Sequence, residues 1–132
     1  MNLYQLFSTT WNTSSSWSYS PGILETLNMN GHSTLCNIEI HNTGSADLTG
    51  FVLQVRDHPE GEWYAKYLAS DEWTSPGIGD KRFASGDPTT LAAGQRVHVH
   101  TRLSACWDFR FGATSNQPST VTVRGGLFYG GV

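Results

Sequence analysis

The sequence predicts an all-β fold: one single-domain antiparallel β-sandwich, immunoglobulin-like or jelly-roll-like, of about eight or nine strands. Three observations carry this. Residues 34–57 contain two alternating runs, in which Cys36, Ile38 and Ile40 oppose Asn37, Glu39 and His41, and Phe51, Leu53 and Val55 oppose Val52, Gln54 and Arg56. A period of two is the mark of a strand with one buried face, because successive side chains leave opposite sides. Turn signals recur at near-regular spacing along the whole chain, and no stretch has a convincing helical apolar stripe. The composition is rich in Gly (14), with Ser and Thr at 14 each, and only 14% charged, which suits strands and turns and excludes a highly charged disordered segment.

The elements follow in order. Residues 3–11 read as a strand with Leu3, Phe7 and Trp11 on one face and Tyr4 and Leu6 on the other. Residues 12–20 read as a polar loop carrying Trp17 and Tyr19, so residues 1–20 form an N-terminal strand and loop arm. Pro21-Gly22 turns the chain, residues 23–29 read as a short strand, and Asn30-Gly31-His32 turns it again. The two runs of residues 34–57 read as a hairpin around an Asn/Gly/Ser/Asp turn. Residues 63–68 read as a strand with aromatic rings on both faces. Residues 69–90, with Pro76-Gly77, Gly79-Asp80 and Asp87-Pro88, form a long loop of the kind used for binding or ordered by a partner. Residues 95–103 place Val97, Val99, Thr101 and Leu103 opposite His98, His100 and Arg102. Residues 105–113, 119–124 and 126–129 complete the strands, with Gly125-Gly126 and Gly130-Gly131 as turn and tail glycines.

The whole span, residues 1–132, is one domain, long enough to bury a core without metals or disulfides. The net charge of −3 comes with scattered cations, six Arg and two Lys, which argues against phosphate-driven nucleic-acid binding. No run approaches membrane-spanning length and no secretory leader precedes residue 8, so the expected place of synthesis is a cytoplasm and no membrane partner is expected. Cys36 and Cys106 are expected to be free thiols: if Trp107, Phe109 and Phe111 face the core, Cys106 points away from it while Cys36 points in.

Three segments resemble immunoglobulin-like modules of surface and viral structural proteins. They are Ile38-Glu39-Ile40-His41-Asn42-Thr43-Gly44-Ser45-Ala46-Asp47, Leu91-Ala92-Ala93-Gly94-Gln95 ahead of an alternating strand, and Trp107-Asp108-Phe109-Arg110-Phe111-Gly112-Ala113 followed by a Thr120-Val121-Thr122-Val123 hairpin. The whole chain also resembles small decoration (cement) proteins of tailed-phage capsids, being short, rich in Gly, Ser and Thr, aromatic and fully β. That second resemblance implies a virion location, a major capsid protein or other virion protein as partner, and homo-oligomers, often trimers. It carries over no residue roles.

Read for chemistry, the chain offers little. His98 and His100 leave one strand face together, a spacing that grips a metal when a third ligand such as His58, Asp57 or His41 joins them, but that equally describes two solvated positions opposite Val97 and Val99. Glu60/Glu62 and Asp71/Glu72 are loop neighbours without the fixed cleft separation a glycosidase needs. Ser104 and Cys106 lack a nucleophile elbow or a base placed by the sequence. The expectation is therefore a non-enzymatic protein without catalytic residues, metal or cofactor.

The aromatic share of 12% exceeds what one small core requires. Trp63, Tyr64, Tyr67 and Trp73 form the richest cluster, and three readings fit them: core, a protein interface, or a platform on which sugars stack. Tyr4, Trp11, Trp17 and Tyr19 near the start, Phe83 in the long loop, and Phe128 and Tyr129 near the end complete the candidate partner-binding set. A capsid-binding structural protein is the function this favours. The alternative is a carbohydrate-binding or lectin-like module, for instance of a phage tail or fibre.

Overall fold

A computed structural model describes residues 2–66, 68, 73–74, 90–103 and 106–130. It is an all-β sandwich of two antiparallel sheets with one turn of helix. The strands are β1 (Asn2–Asn12), β2 (Ser18–Tyr19), β3 (Thr34–Asn42), β4 (Leu48–Arg56), β5 (Tyr64–Ala65), β6 (Trp73–Thr74), β7 (Arg96–Leu103), β8 (Asp108–Ser115) and β9 (Thr120–Gly130), and the helix α1 is Ile23–Thr26. One sheet has the order β1-β9-β3-β7-β6 and the other β2-β8-β4-β5. The first strand thus pairs with the last, the second with the next to last, and the third with β7. Setting aside the short β6, this is the strand order of a jelly roll, a long antiparallel ribbon rolled into two sheets.

The apolar faces meet between the sheets. Ile38 and Ile40 from β3, Val97 and Val99 from β7, and Val121, Val123 and Leu127 from β9 pack against Phe51, Leu53 and Val55 from β4 and Phe109 and Phe111 from β8, all buried. Phe109 meets Phe111 edge-on at 6.1 Å between centroids, and Phe51 stacks on Phe111 at 6.4 Å. In β7 the burial alternates residue by residue, as the sequence of Val97 to Leu103 predicts.

Four local expectations are corrected. Residues 34–57 are no hairpin: β3 lies in the five-stranded sheet and β4 in the four-stranded one, so residues 43–47 carry the chain across the sandwich. Both apolar faces point inward either way, which is why alternation alone did not separate the two arrangements. Residues 23–29 hold no strand. Ile23 and Leu24 are both buried and Leu27 packs on the core, a spacing that one helical turn satisfies and a strand does not. Among the described residues of 63–68, only Tyr64 and Ala65 form a strand, β5. Gly125 and Gly126 make no turn but lie inside β9, which is continuous from Thr120 to Gly130.

Both cysteines are free and buried. Cys106 does not point away from the core as parity predicts, because β8 begins only at Asp108 and the alternation does not extend back to it. Burial pushes the Cys36 thiol up to about 12 and that of Cys106 up to about 11, so both stay protonated and weakly nucleophilic near neutral pH.

Gly125 is required by a close approach. A Cβ there would overlap the Asn37 carbonyl oxygen and lie 2.8 Å from the Ile38 Cα, both backbone atoms of the neighbouring β3. At Gly126 the atoms in the way belong to the Tyr4 ring, which lies over the glycine and covers its bare backbone. A ring can swing aside and a paired strand cannot. Gly125→Ala is therefore expected to cost about 2 kcal/mol by forcing β3 and β9 apart, and Gly126→Ala much less, as measured by chemical denaturation; equal costs would contradict this account.

Candidate functional site: the outer face of the five-stranded sheet

Cross-strand register arranges the outer side chains of this sheet in rows. Tyr4 pairs with Phe128, Phe128 with Leu35, and Leu35 with Arg102. The next row runs Leu6, Gly126, Asn37, His100, and the one after it Ser8, Arg124, Glu39, His98. The first of these rows is apolar from Tyr4 through Phe128 to Leu35, and Leu6 extends it. Tyr4, Leu6, Leu35 and Phe128 are exposed at 55%, 68%, 39% and 42%, so four large apolar groups stand together in water.

Beside them lies a polar groove. It runs along β9 at Arg124 and Gly125, with Leu6 and Ser8 of β1 on one bank and Asn37 and Glu39 of β3 on the other. The groove, of about 740 Å3, extends to His98 and His100. Glu39 accepts a hydrogen bond from Arg124 Nε at 2.9 Å and forms a longer ion pair with Arg96 Nε at 3.5 Å. His100 Nδ1 lies 2.8 Å from Asn37 Oδ1. The groove thus presents a carboxylate already engaged by guanidinium groups, an imidazole tied to an amide, and an apolar rim. These groups can orient a polar ligand, and the His98 imidazole lines the same groove.

The histidine pair does share a face, yet the third ligands considered for it are elsewhere. Asp57 and His58 follow β4 in the opposite sheet, and His41 lies in the row of Arg96. Among the described residues no three His, Cys, Asp or Glu side chains come together at metal-binding distance. Glu60 and Glu62 are both exposed in the turn before β5.

The remaining aromatic candidates divide. On the outer face of the four-stranded sheet, Arg110 lies between Tyr19, at 3.9 Å from the ring centroid, and Trp63, at 4.3 Å, and Arg56 covers Trp63 at 4.6 Å. Arg110 Nε also donates to Gln54 Oε1 at 2.9 Å. The Trp63 and Tyr19 rings are therefore already stacked on cations of their own chain. Trp63 is half-buried and Trp17 is exposed over Gly50. Tyr64 is exposed and its phenol donates to the Asp57 carboxylate at 2.8 Å, a bond that raises the phenol above its usual pKa. Trp11 packs against the core and its indole Nε1 is buried without a partner among the described residues. Tyr67 and Phe83, most of the loop 69–90 with Asp71 and Glu72, Ser104, and the side chains of Trp73 and Tyr129 lie outside the described residues.

Of the predicted partner-binding residues whose side chains are described, only Tyr4 and Phe128 meet in the apolar row. Leu6, Leu35, Asn37, Glu39 and Arg124, which complete the face, were not singled out as site residues by sequence. Reading Gly125-Gly126 as strand interior would have placed Arg124 and Phe128 on one face and drawn the rest in through pairing. The chain matches no family model, no curated protein and no solved structure.

Proposed function

We propose that this protein is a non-enzymatic capsid decoration protein, which docks on the shell of a virion through the outer face of its five-stranded sheet. The observation that supports it best is the exposed row Tyr4, Phe128 and Leu35 with Leu6 beside it: large apolar groups held rigidly on three paired strands, next to a polar groove. Such a patch loses free energy in water and recovers it against a complementary surface, with Glu39, Arg96 and Arg124 supplying register at its rim. The major capsid protein, or another virion protein, is the partner in this reading. Jelly rolls recur in viral capsid and lectin domains, which accords with this setting.

The test is co-sedimentation with capsid shells of the virus that carries the gene. Wild-type protein is expected to pellet with shells, and Leu6→Glu combined with Phe128→Ser to lose about a hundredfold in affinity, with fold stability nearly unchanged because both side chains are exposed. Unaltered binding by the double variant would overturn the proposed surface, and absence of wild-type binding the capsid reading itself.

One observation favours a second reading. The groove sets Asn37, Glu39, His100 and Arg124 within one concavity near the Tyr4 ring, an arrangement able to hydrogen-bond a sugar while stacking its apolar face. A lectin-like function would appear as glycan binding that is lost in Arg124→Ala, in protein that ignores capsid shells.

A further inference from the structure

We infer that β1 is a dimerisation edge, pairing antiparallel with the β1 of a second copy so that two five-stranded sheets become one continuous sheet. Among the described residues the two sheets have four edges. Three are formed by β2, β5 and β6, each described as two residues long, which leaves little backbone to template another strand. The fourth is β1, which spans Asn2 to Asn12 and, among the described residues, pairs on one side only, with β9. Natural edges of that length are usually protected by charges, proline or a bulge. Asn2-Leu3-Tyr4-Gln5-Leu6-Phe7-Ser8-Thr9-Thr10-Trp11-Asn12 contains no charged residue, no proline and no glycine, and its register with β9 is unbroken.

The orientation of its backbone follows from the ladder. The Thr13 N–H donates to the Ser119 carbonyl at 2.8 Å, continuing the β1–β9 register. Alternation then turns the backbone groups of Phe7, Thr9 and Trp11 toward β9 and those of Tyr4, Leu6, Ser8 and Thr10 outward. The Gln5 side chain donates to the Leu6 carbonyl at 3.0 Å, as an outward carbonyl seeking a donor would accept. A two-fold axis through Phe7, perpendicular to the sheet, sets Phe7 against Phe7, Leu6 against Ser8, Tyr4 against Thr10 and Asn2 against Asn12. All outward groups then fall in hydrogen-bonded pairs and the full strand is used.

A second copy fits better than a foreign strand. An uncharged strand brings no like-charge repulsion when it meets itself, and it offers no charge pattern by which to select another sequence. An isologous contact of this kind closes at two chains, so it predicts a dimer and not the trimer that the capsid resemblance implies. Because the axis is perpendicular to the sheet, both apolar rows face the same side, and the dimer is bivalent toward whatever that face binds. The dimer itself does not depend on the capsid reading.

The experiment uses the purified chain alone, with no shells present. Light-scattering mass over a dilution series is expected to move between one chain and two. Ser8→Pro removes an outward N–H, which an edge strand tolerates, and is expected to weaken association by about tenfold or more while leaving the β1–β9 ladder and the circular dichroism spectrum intact. Amide exchange in the wild type gives a readout independent of any variant. The amides of Tyr4, Leu6, Ser8 and Thr10 should gain protection as concentration rises, while those of Phe7, Thr9 and Trp11 stay protected throughout. A wild type that remains monomeric at high concentration, or a dimer in which these outward amides exchange as fast as in the monomer, overturns the inference.

Discussion

Asn42→Asp is expected to destabilise the protein by about 4 kcal/mol or more, and by more than Asn42→Ala. Asn42 ends β3 at the corner where the chain leaves one sheet for the other, and it is fully buried. Its Nδ2 donates to the carbonyls of Ala46 at 2.8 Å and Leu91 at 3.0 Å. Its Oδ1 accepts from the Gly44 N–H at 3.3 Å and from Ser119 Oγ at 2.7 Å. Both donor and both acceptor positions of the amide are therefore used, and the four partners lie in three parts of the corner: Gly44 and Ala46 in the crossover, Leu91 in the segment that bridges to Leu48, and Ser119 in the approach to β9. Alanine removes all four bonds, but each partner keeps another: the Leu91 carbonyl with the Leu48 N–H, the Gly44 N–H with the Thr120 carbonyl, and Ser119 Oγ with the Ala46 carbonyl. Aspartate is worse, because it replaces a donor by an oxygen aimed at two carbonyl oxygens, in a place without water to take up its charge. Denaturant midpoints at unchanged slope will measure both. An aspartate variant as stable as the alanine one would show that the amide orientation is not what holds the corner.

That corner marks the boundary of what the sequence discloses. The faces of β3, β4 and β7 follow from alternation at Ile38, Leu53 and Val99, and the structure buries those residues as expected. Alternation reports which side of a strand is wet, however, and is silent about which strand lies beside it. Residues 34–57 read locally as a hairpin, whereas the crossover is held by partners remote in sequence, such as Leu91 and Ser119 bonded to Asn42. The glycine pair failed for a related reason. A Gly-Gly step is a turn signal when read locally, and only the backbone of β3, pressed against Gly125, shows why side chains are missing there. The candidate site inherits both difficulties. Tyr4 and Phe128 were legible as aromatic residues near the ends. Leu6 and Leu35 looked like ordinary strand residues until pairing brought them beside those rings. Trp63 drew attention by its size, yet two guanidinium groups of its own chain already cover it.

The second large effect concerns Asp108, a fully buried carboxyl at the start of β8. Its Oδ1 accepts from the backbone N–H groups of Leu24 and Phe109, each at 2.8 Å, which fixes the helical turn α1 against β8. Asp108→Ala orphans both donors in the interior and is expected to cost about 3 kcal/mol. Oδ2 is buried with no partner among the described residues, and burial raises the acid above its usual 3.8, with the backbone hydrogen bonds offsetting part of the rise. The sign of the resulting pH dependence is fixed by which state holds the proton. From pH 3.8 up to the raised native value, the folded chain keeps this proton while the unfolded chain has lost it, so unfolding releases a proton and stability falls as pH rises through that window. Asp108→Asn keeps the Oδ1 acceptor and cannot ionise. Relative to the wild type it should therefore gain stability between acid and neutral pH, while Asp108→Ala remains the weakest of the three at neutral pH. Thermal or denaturant unfolding of the three proteins across that range measures it. A difference between wild type and Asp108→Asn that stays flat, or that moves toward the wild type as pH rises, would show that the native carboxyl ionises without penalty and that a water or a further donor reaches Oδ2.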